Sequence, residues 1–258
     1  MKTLAAIMLA LALLWVWRET YDATCLGFLP AAMVVAVIAV AAREQALRRR
    51  YCLAECWFTA GSLPARILRS RVLVTLRALL VSLFTGGVLL LSLPLWKGPM
   101  LIALALDSLI VAMLFSALRA LSARIFQPRS QLLLVKSWTV ALNTLLMAGV
   151  LFYMQLYSLV PDYLDDSLRA TLDAASKQIA SNCPPVDTLA GLYQEKDAFA
   201  WWLMVQGSDR LDVPSLRWAA WTIFLLSGTL GLWAYSRLLV QMIAFAQGGK
   251  ERIDDETH

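Results

Sequence analysis

One histidine occurs among the 258 residues, and it is the last, His258. That scarcity removes bis-histidine haem ligation, H-E-x-x-H zinc sites, histidine-based catalytic triads and histidine proton relays, all of which need imidazoles at defined positions. Neither a G-x-S-x-G elbow nor a Walker A loop is present. Asp or Ser can do chemistry without histidine, but no arrangement of them here has a catalytic pattern, so an enzyme is not the reading favoured. Charge is also scarce. Asp, Glu, Lys and Arg make up 16% of the chain, against roughly a quarter in soluble domains.

Cysteine is limited to four residues, Cys25, Cys52, Cys56 and Cys183. Cys52 and Cys56 could share a helix face. Charge patterning nevertheless puts them on the opposite side of a membrane from Cys25 and Cys183, and tetrahedral zinc needs all its ligands on one side. No metal and no cofactor is expected. Cys25 and Cys183 have two readings: a disulfide in an oxidising compartment, or two semi-buried free thiols.

What the chain has in abundance is apolar sequence, 60% hydrophobic with a mean hydropathy of +0.65. A membrane span needs about 20 apolar residues, and six stretches approach this: 3–17, 25–42, 74–96, 100–118, 137–160 and a sixth within 216–247. The sixth is too long for one crossing. Arg237 is expected where it leaves the lipid, and Gly248-Gly249 where the helix ends ahead of a polar tail, 248–258. The expected fold is therefore all-α: a polytopic integral membrane protein of about six transmembrane helices, with a small, mostly helical extracytoplasmic segment between the fifth and sixth. The first stretch, Lys2 followed by an apolar run, also resembles a signal peptide. It lacks a good A-x-A cleavage site, which favours an uncleaved anchor.

Charge orients the molecule. Segment 161–215 holds nine carboxylates against four cations, whereas Arg43–Arg71 holds seven arginines against two glutamates. Residues 119–136 add Arg119, Arg124, Arg129 and Lys136 with no carboxylate. Cationic loops stay on the cytoplasmic side. The acidic segment is thus expected to be periplasmic, both termini cytoplasmic, and the location a bacterial inner membrane. The same rule explains the net charge of +5 without nucleic acid as a partner. Trp15, Trp17, Trp96, Trp201, Trp202 and Trp218 fall near span ends, where headgroup-level anchoring is expected.

Within the acidic segment, Leu164, Leu168, Leu172, Ala175 and Ile179 recur at helical spacing, which predicts a surface helix over 161–180. Asp162, Asp165 and Asp166 would then lie in its first turn. That stripe either packs within the segment or docks another protein. Val186–Tyr193 reads as another turn or two of helix. Ala198–Val205 is apolar but too short to span, and fits a strand, a cap over the bundle or an interfacial helix. On the cytoplasmic side the second span is expected to continue as a helix before breaking at Gly61–Pro64. Arg48, Arg49 and Arg50 there would contact anionic lipid or an acidic partner.

Asp107 is the residue that sequence alone singles out. It lies about seven residues into the fourth span, roughly 10 Å at about 1.5 Å per residue. An ionised carboxylate there costs on the order of 3 kcal/mol. Either it is a functional intramembrane acid, or it is helix–helix glue bonded to Ser108 or Asn143. Two functions follow. The first is a non-catalytic membrane subunit, scaffold or assembly component, with lipids and other membrane-complex proteins as partners. The second is a small-solute or ion transporter or channel using Asp107.

Overall fold

The computed structural model describes residues 2–22, 25–57, 71–96, 98–123, 125, 128–157, 161–178, 181–207 and 214–247. Among these residues the protein is all-helical and forms no strand. The helices are α1 (Lys2–Thr20), α2 (Phe28–Trp57), α3 (Arg71–Ser92), α4 (Gly98–Ser122), α5 (Pro128–Tyr157), α6 (Leu168–Ser176), α7 (Pro184–Trp202) and α8 (Pro214–Ala246). A five-residue π-helix, Leu203–Gly207, extends α7.

Five of these helices contain segments long and apolar enough to cross a membrane: Lys2–Thr20, Val72–Leu95, Gly98–Ser122, Gln131–Gln155 and Gly228–Ala246. Their sidedness is the reverse of a soluble bundle. Leu76, Leu79, Leu80 and Leu83 on α3, and Ile102, Leu106, Leu109 and Met113 on α4, are exposed at helical spacing. The buried faces hold Ser82 and Thr85 on α3, Asp107 and Ser108 on α4, and Thr139 and Asn143 on α5. Such extensive exposed apolar faces suit hydrocarbon and would not persist in water. This is the make-up of a membrane-spanning protein.

Helix α8 is the hub. Leu232, Ala234, Tyr235, Leu238, Leu239 and Ile243 are all fully buried, and α8 packs against α1 to α5. Its burial continues past Arg237, so that arginine does not end the packed helix. Two glycines set close approaches. A Cβ at Gly86 would come within 2.9 Å of Val35 Cγ2, and one at Gly231 within 3.0 Å of Ser92 Oγ. Helices α2 and α8 therefore pack tightly on α3 because those positions carry no side chain.

Trp17 departs from its expected place at the headgroups. It is buried in the bundle core, and its indole N–H donates to the Leu90 carbonyl of α3 at 2.8 Å. Trp15 and Trp218 are exposed. Lys136, expected in a basic loop, lies inside α5 and is buried.

The acidic segment also departs from expectation. Residues 161–167 form turns, and the helix starts only at Leu168. Ser167 caps it by accepting from the Ala170 N–H, while the Thr171 hydroxyl bonds both the N–H and the carbonyl of Asp165. These side-chain bonds hold Asp162, Asp165 and Asp166 ahead of the helix. Conversely, α7 is much longer than one or two turns. Pro184 and Pro185 open it, and Ala198–Trp202 continues it as helix. The expected break at Gly61–Pro64 lies outside the described residues.

Candidate functional site

Asp107, Asn143 and Ser236 meet in the bundle interior from α4, α5 and α8, each at most 1% exposed. The Asn143 amide donates to Asp107 Oδ2 and to Ser236 Oγ, both at 3.0 Å. One turn along, the Tyr235 hydroxyl donates to the Leu104 carbonyl at 2.6 Å. Ser108 is buried as well, but its hydroxyl donates to Ala105 of its own helix at 2.6 Å and so joins no neighbour. A short polar side chain in a helix readily bonds back to the preceding turn, which is why Ser108 makes no bridge. Asp107 Oδ1 and Asn143 Oδ1 have no protein partner. A neutral amide bridging two other helices adds directionality that apolar packing in lipid lacks.

A second polar link lies toward the N-terminal end of α5. Lys136 Nζ stands 3.1 Å from Glu44 Oε2 on α2, with the two side chains 6% and 27% exposed. Nearby, Gln131 Nε2 donates to the Arg119 carbonyl at 2.9 Å, and the Arg119 guanidinium bonds Gln247 Oε1. The start of α5 and the ends of α4 and α8 are thus tied together. Arg48, Arg49 and Arg50 lie on α2, and their side chains fall outside the described residues.

At the other end of the bundle, α6, α7 and the turns before them form a cap. Cys25 and Cys183 are joined as a disulfide, with their Cα atoms 5.2 Å apart. The adjoining chain is stitched on either side: Ser181 Oγ donates to the Tyr21 carbonyl at 2.6 Å, and the Asn182 N–H to the Asp22 carbonyl at 3.0 Å. Trp201 packs edge-on against Phe224 of α8, with ring centroids 5.0 Å apart. Asp162, Asp165, Asp166, Asp173, Asp187 and Glu195 are exposed on this cap.

Between cap and bundle is a partly open cavity of about 160 Å³. Its walls include Trp96, Gln155, Tyr163, Tyr193, Asp197 and Trp201. Burial pushes the Asp197 carboxyl above its usual range, partly offset by the Lys196 ammonium. Burial and then the Asp197 charge push Tyr193 up to about 12, and the same two causes push Tyr163 well above the phenol range. One carboxyl therefore acts on two phenols in a confined space. Gln155 Oε1 is buried without a partner.

Sequence reasoning located Asp107 and Asn143, and named Trp96, Trp201 and Asp162 for other reasons, but missed Ser236, Tyr235, the Glu44–Lys136 pair and the cavity itself. No local signal marks them, because each owes its role to a neighbour distant in sequence. Asn143 and Ser236 are 93 positions apart, and Lys136 and Glu44 are 92. No protein-family model, no curated protein and no solved structure matches this chain.

Proposed function

We propose that this chain is a non-catalytic subunit or assembly component of a larger complex in a bacterial inner membrane. One observation carries the reading. Leu189, Leu192, Phe199 and Leu203 are exposed along one side of α7 and its extension, on a cap that a disulfide and backbone hydrogen bonds hold to the bundle. Asp187 and Glu195 are exposed on the same helix, as is Lys196. An anchored apolar stripe on an acidic cap suits a partner with a basic rim and an apolar centre.

Six crossings, with both termini cytoplasmic, complete the reading. The sixth is the first half of α2, where Ala31, Val34, Ile38 and Ala41 are buried at helical spacing while Leu29, Met33 and Val40 are exposed. A disulfide at the capped end favours an oxidising compartment there. Among the described residues, Arg43, Arg119 and Lys136 lie toward the opposite end, as the charge rule asks of a cytoplasmic face.

The test is a mild-detergent pull-down of the tagged chain from its native membrane, with a photo-crosslinker at position 192. Stoichiometric partners crosslinked through α7 are expected. A chain that emerges alone at full yield overturns the reading and favours the alternative, a solute or ion transporter. The observation favouring that alternative is the unpartnered Oδ1 of Asp107, and loss of flux in Asp107→Asn would then be expected.

A further inference from the structure

The cavity beneath the cap has a wall composition that indicates a ligand class. Among its described lining residues are four aromatic rings, from Trp96, Tyr163, Tyr193 and Trp201, and two aspartates, Asp162 and Asp197. Among the described residues neither Lys nor Arg lines it. We propose that this cavity binds an organic ammonium group, carried either by an amine-bearing lipid headgroup or by a small soluble amine.

Three features exclude other ligand classes. An anion would face the Asp197 carboxyl, with no cation among the described lining residues to offset it. A divalent metal wants six or more oxygens, or a near-octahedral set, and four of the lining side chains here are aromatic. The volume, about 160 Å³, is well under the roughly 300–1,000 Å³ of pockets for drug-sized molecules. A small cation bearing alkyl groups meets all three constraints, because ring faces attract it while its carbon surface packs against them.

The Tyr193 ring already hosts such a group. Lys196 Nζ lies 4.4 Å from its centroid, yet Lys196 is exposed and does not line the cavity. Asp197 supplies the counter-charge, and the unpartnered Gln155 Oε1 supplies an acceptor for an N–H donor. The raised Asp197 carboxyl fits as well, since an acid buried without a full counter-ion is one that a bound cation would stabilise in its charged form. The cavity lies between the cap, the ends of α3 and α5, and the middle of α8. A group could therefore enter from solvent or along the bundle surface. The inference does not depend on the chain being a complex subunit.

The test uses the full chain in nanodiscs of phosphatidylglycerol, which has no amine. Calorimetric titration with choline and with ethanolamine is compared with 3,3-dimethylbutan-1-ol, the neutral isostere of choline. Saturable binding of at least one amine is expected, at least tenfold tighter than that of the alcohol and weakened at least tenfold by Asp197→Asn. Tyr193→Leu should weaken it and Tyr193→Phe preserve it, a pair that keeps the test informative if Asp197→Asn unfolds. A parallel arm reconstitutes the chain in mixed phosphatidylethanolamine and phosphatidylglycerol and counts retained lipids by native mass spectrometry. Retention of phosphatidylethanolamine, lost in the same variants, identifies the headgroup as the source. Binding of soluble amine without that enrichment identifies the free amine. Absence of both, equal binding of the neutral alcohol, or binding insensitive to Asp197 and Tyr193 overturns the proposal.

Discussion

Trp17 supplies the hydrogen bond that Pro94 withholds from Leu90. In a continuous helix the Leu90 carbonyl would accept from the N–H of residue 94, but proline has none. The Trp17 indole, arriving from α1, donates to that carbonyl at 2.8 Å in a buried setting. A proline near the end of α3 is thus tolerated because a distant tryptophan satisfies the group that it orphans.

Trp17→Phe is expected to destabilise the protein by about 1–3 kcal/mol, the cost of leaving a buried carbonyl unsatisfied. Thermal unfolding in detergent micelles measures this. Introducing Pro94→Ala into the Trp17→Phe background restores a backbone donor and should recover part of the loss. If Pro94→Ala gives the same increment in both backgrounds, the two residues are not coupled in this way.

How much of this was legible in the chain follows from where each signal resides. Hydropathy is local, so the apolar segments of α1, α3, α4, α5 and α8 stood out. Asp107 stood out because an acid among leucines needs no neighbour to be conspicuous. The Trp17–Leu90 bond did not, since it depends on the register between helices 73 positions apart. The cap misled for a different reason. Asp162, Asp165 and Asp166 look like a helix's first turn, and only the Ser167 cap and the Thr171–Asp165 bonds show them to precede it. Asp197 stood out no more than the other carboxylates of its segment, because the cavity walls around it come from several parts of the chain.

The Glu44–Lys136 pair gives a second prediction. Lys136 is nearly fully buried while Glu44 keeps some contact with solvent. Breaking a buried pair leaves an uncompensated charge, but partial exposure lowers the penalty from the 3–5 kcal/mol of a fully buried one. Lys136→Met or Glu44→Gln alone should each cost about 2 kcal/mol. The double variant should return to within about 1 kcal/mol of the parent, because no lone charge remains. A double-mutant cycle on thermal or denaturant unfolding reads the coupling directly.

Gln194 offers the opposite sign. It is 1% exposed on α7, and neither Nε2 nor Oε1 has a hydrogen-bond partner. Burying an unsatisfied amide is costly, and methionine has a similar length and flexibility without that penalty. Gln194→Met should therefore stabilise the protein by about 1 kcal/mol. A lower midpoint in this variant would mean that the amide has a partner in solution, such as a bound water.

Asp197 ties the stability of the cap to pH. Burial raises its carboxyl above the ordinary value of 3.8, so between that value and the raised one the folded protein holds a proton that the unfolded chain has released. Stability is then greatest at low pH and falls as pH rises through this window. The groups facing or flanking the carboxyl are Lys196 and Tyr193 from α7, with Tyr163 and Asp162 from the preceding turns. The tyrosines stay neutral across the window and so add no slope of their own, because both are pushed above the usual phenol range. Asp197→Asn should flatten this part of the profile and raise the neutral-pH unfolding temperature of amine-free protein. In the parent, saturating amine should flatten the trend, because the cation keeps the carboxylate charged, so that folded and unfolded chains are alike deprotonated across the window, and the amine binds more tightly as pH rises. Unfolding midpoints measured across the acidic range, with and without choline, separate the two contributions. A carboxyl conserving only structure would give the same slope in both series, whereas one that holds a ligand loses its slope when amine is bound.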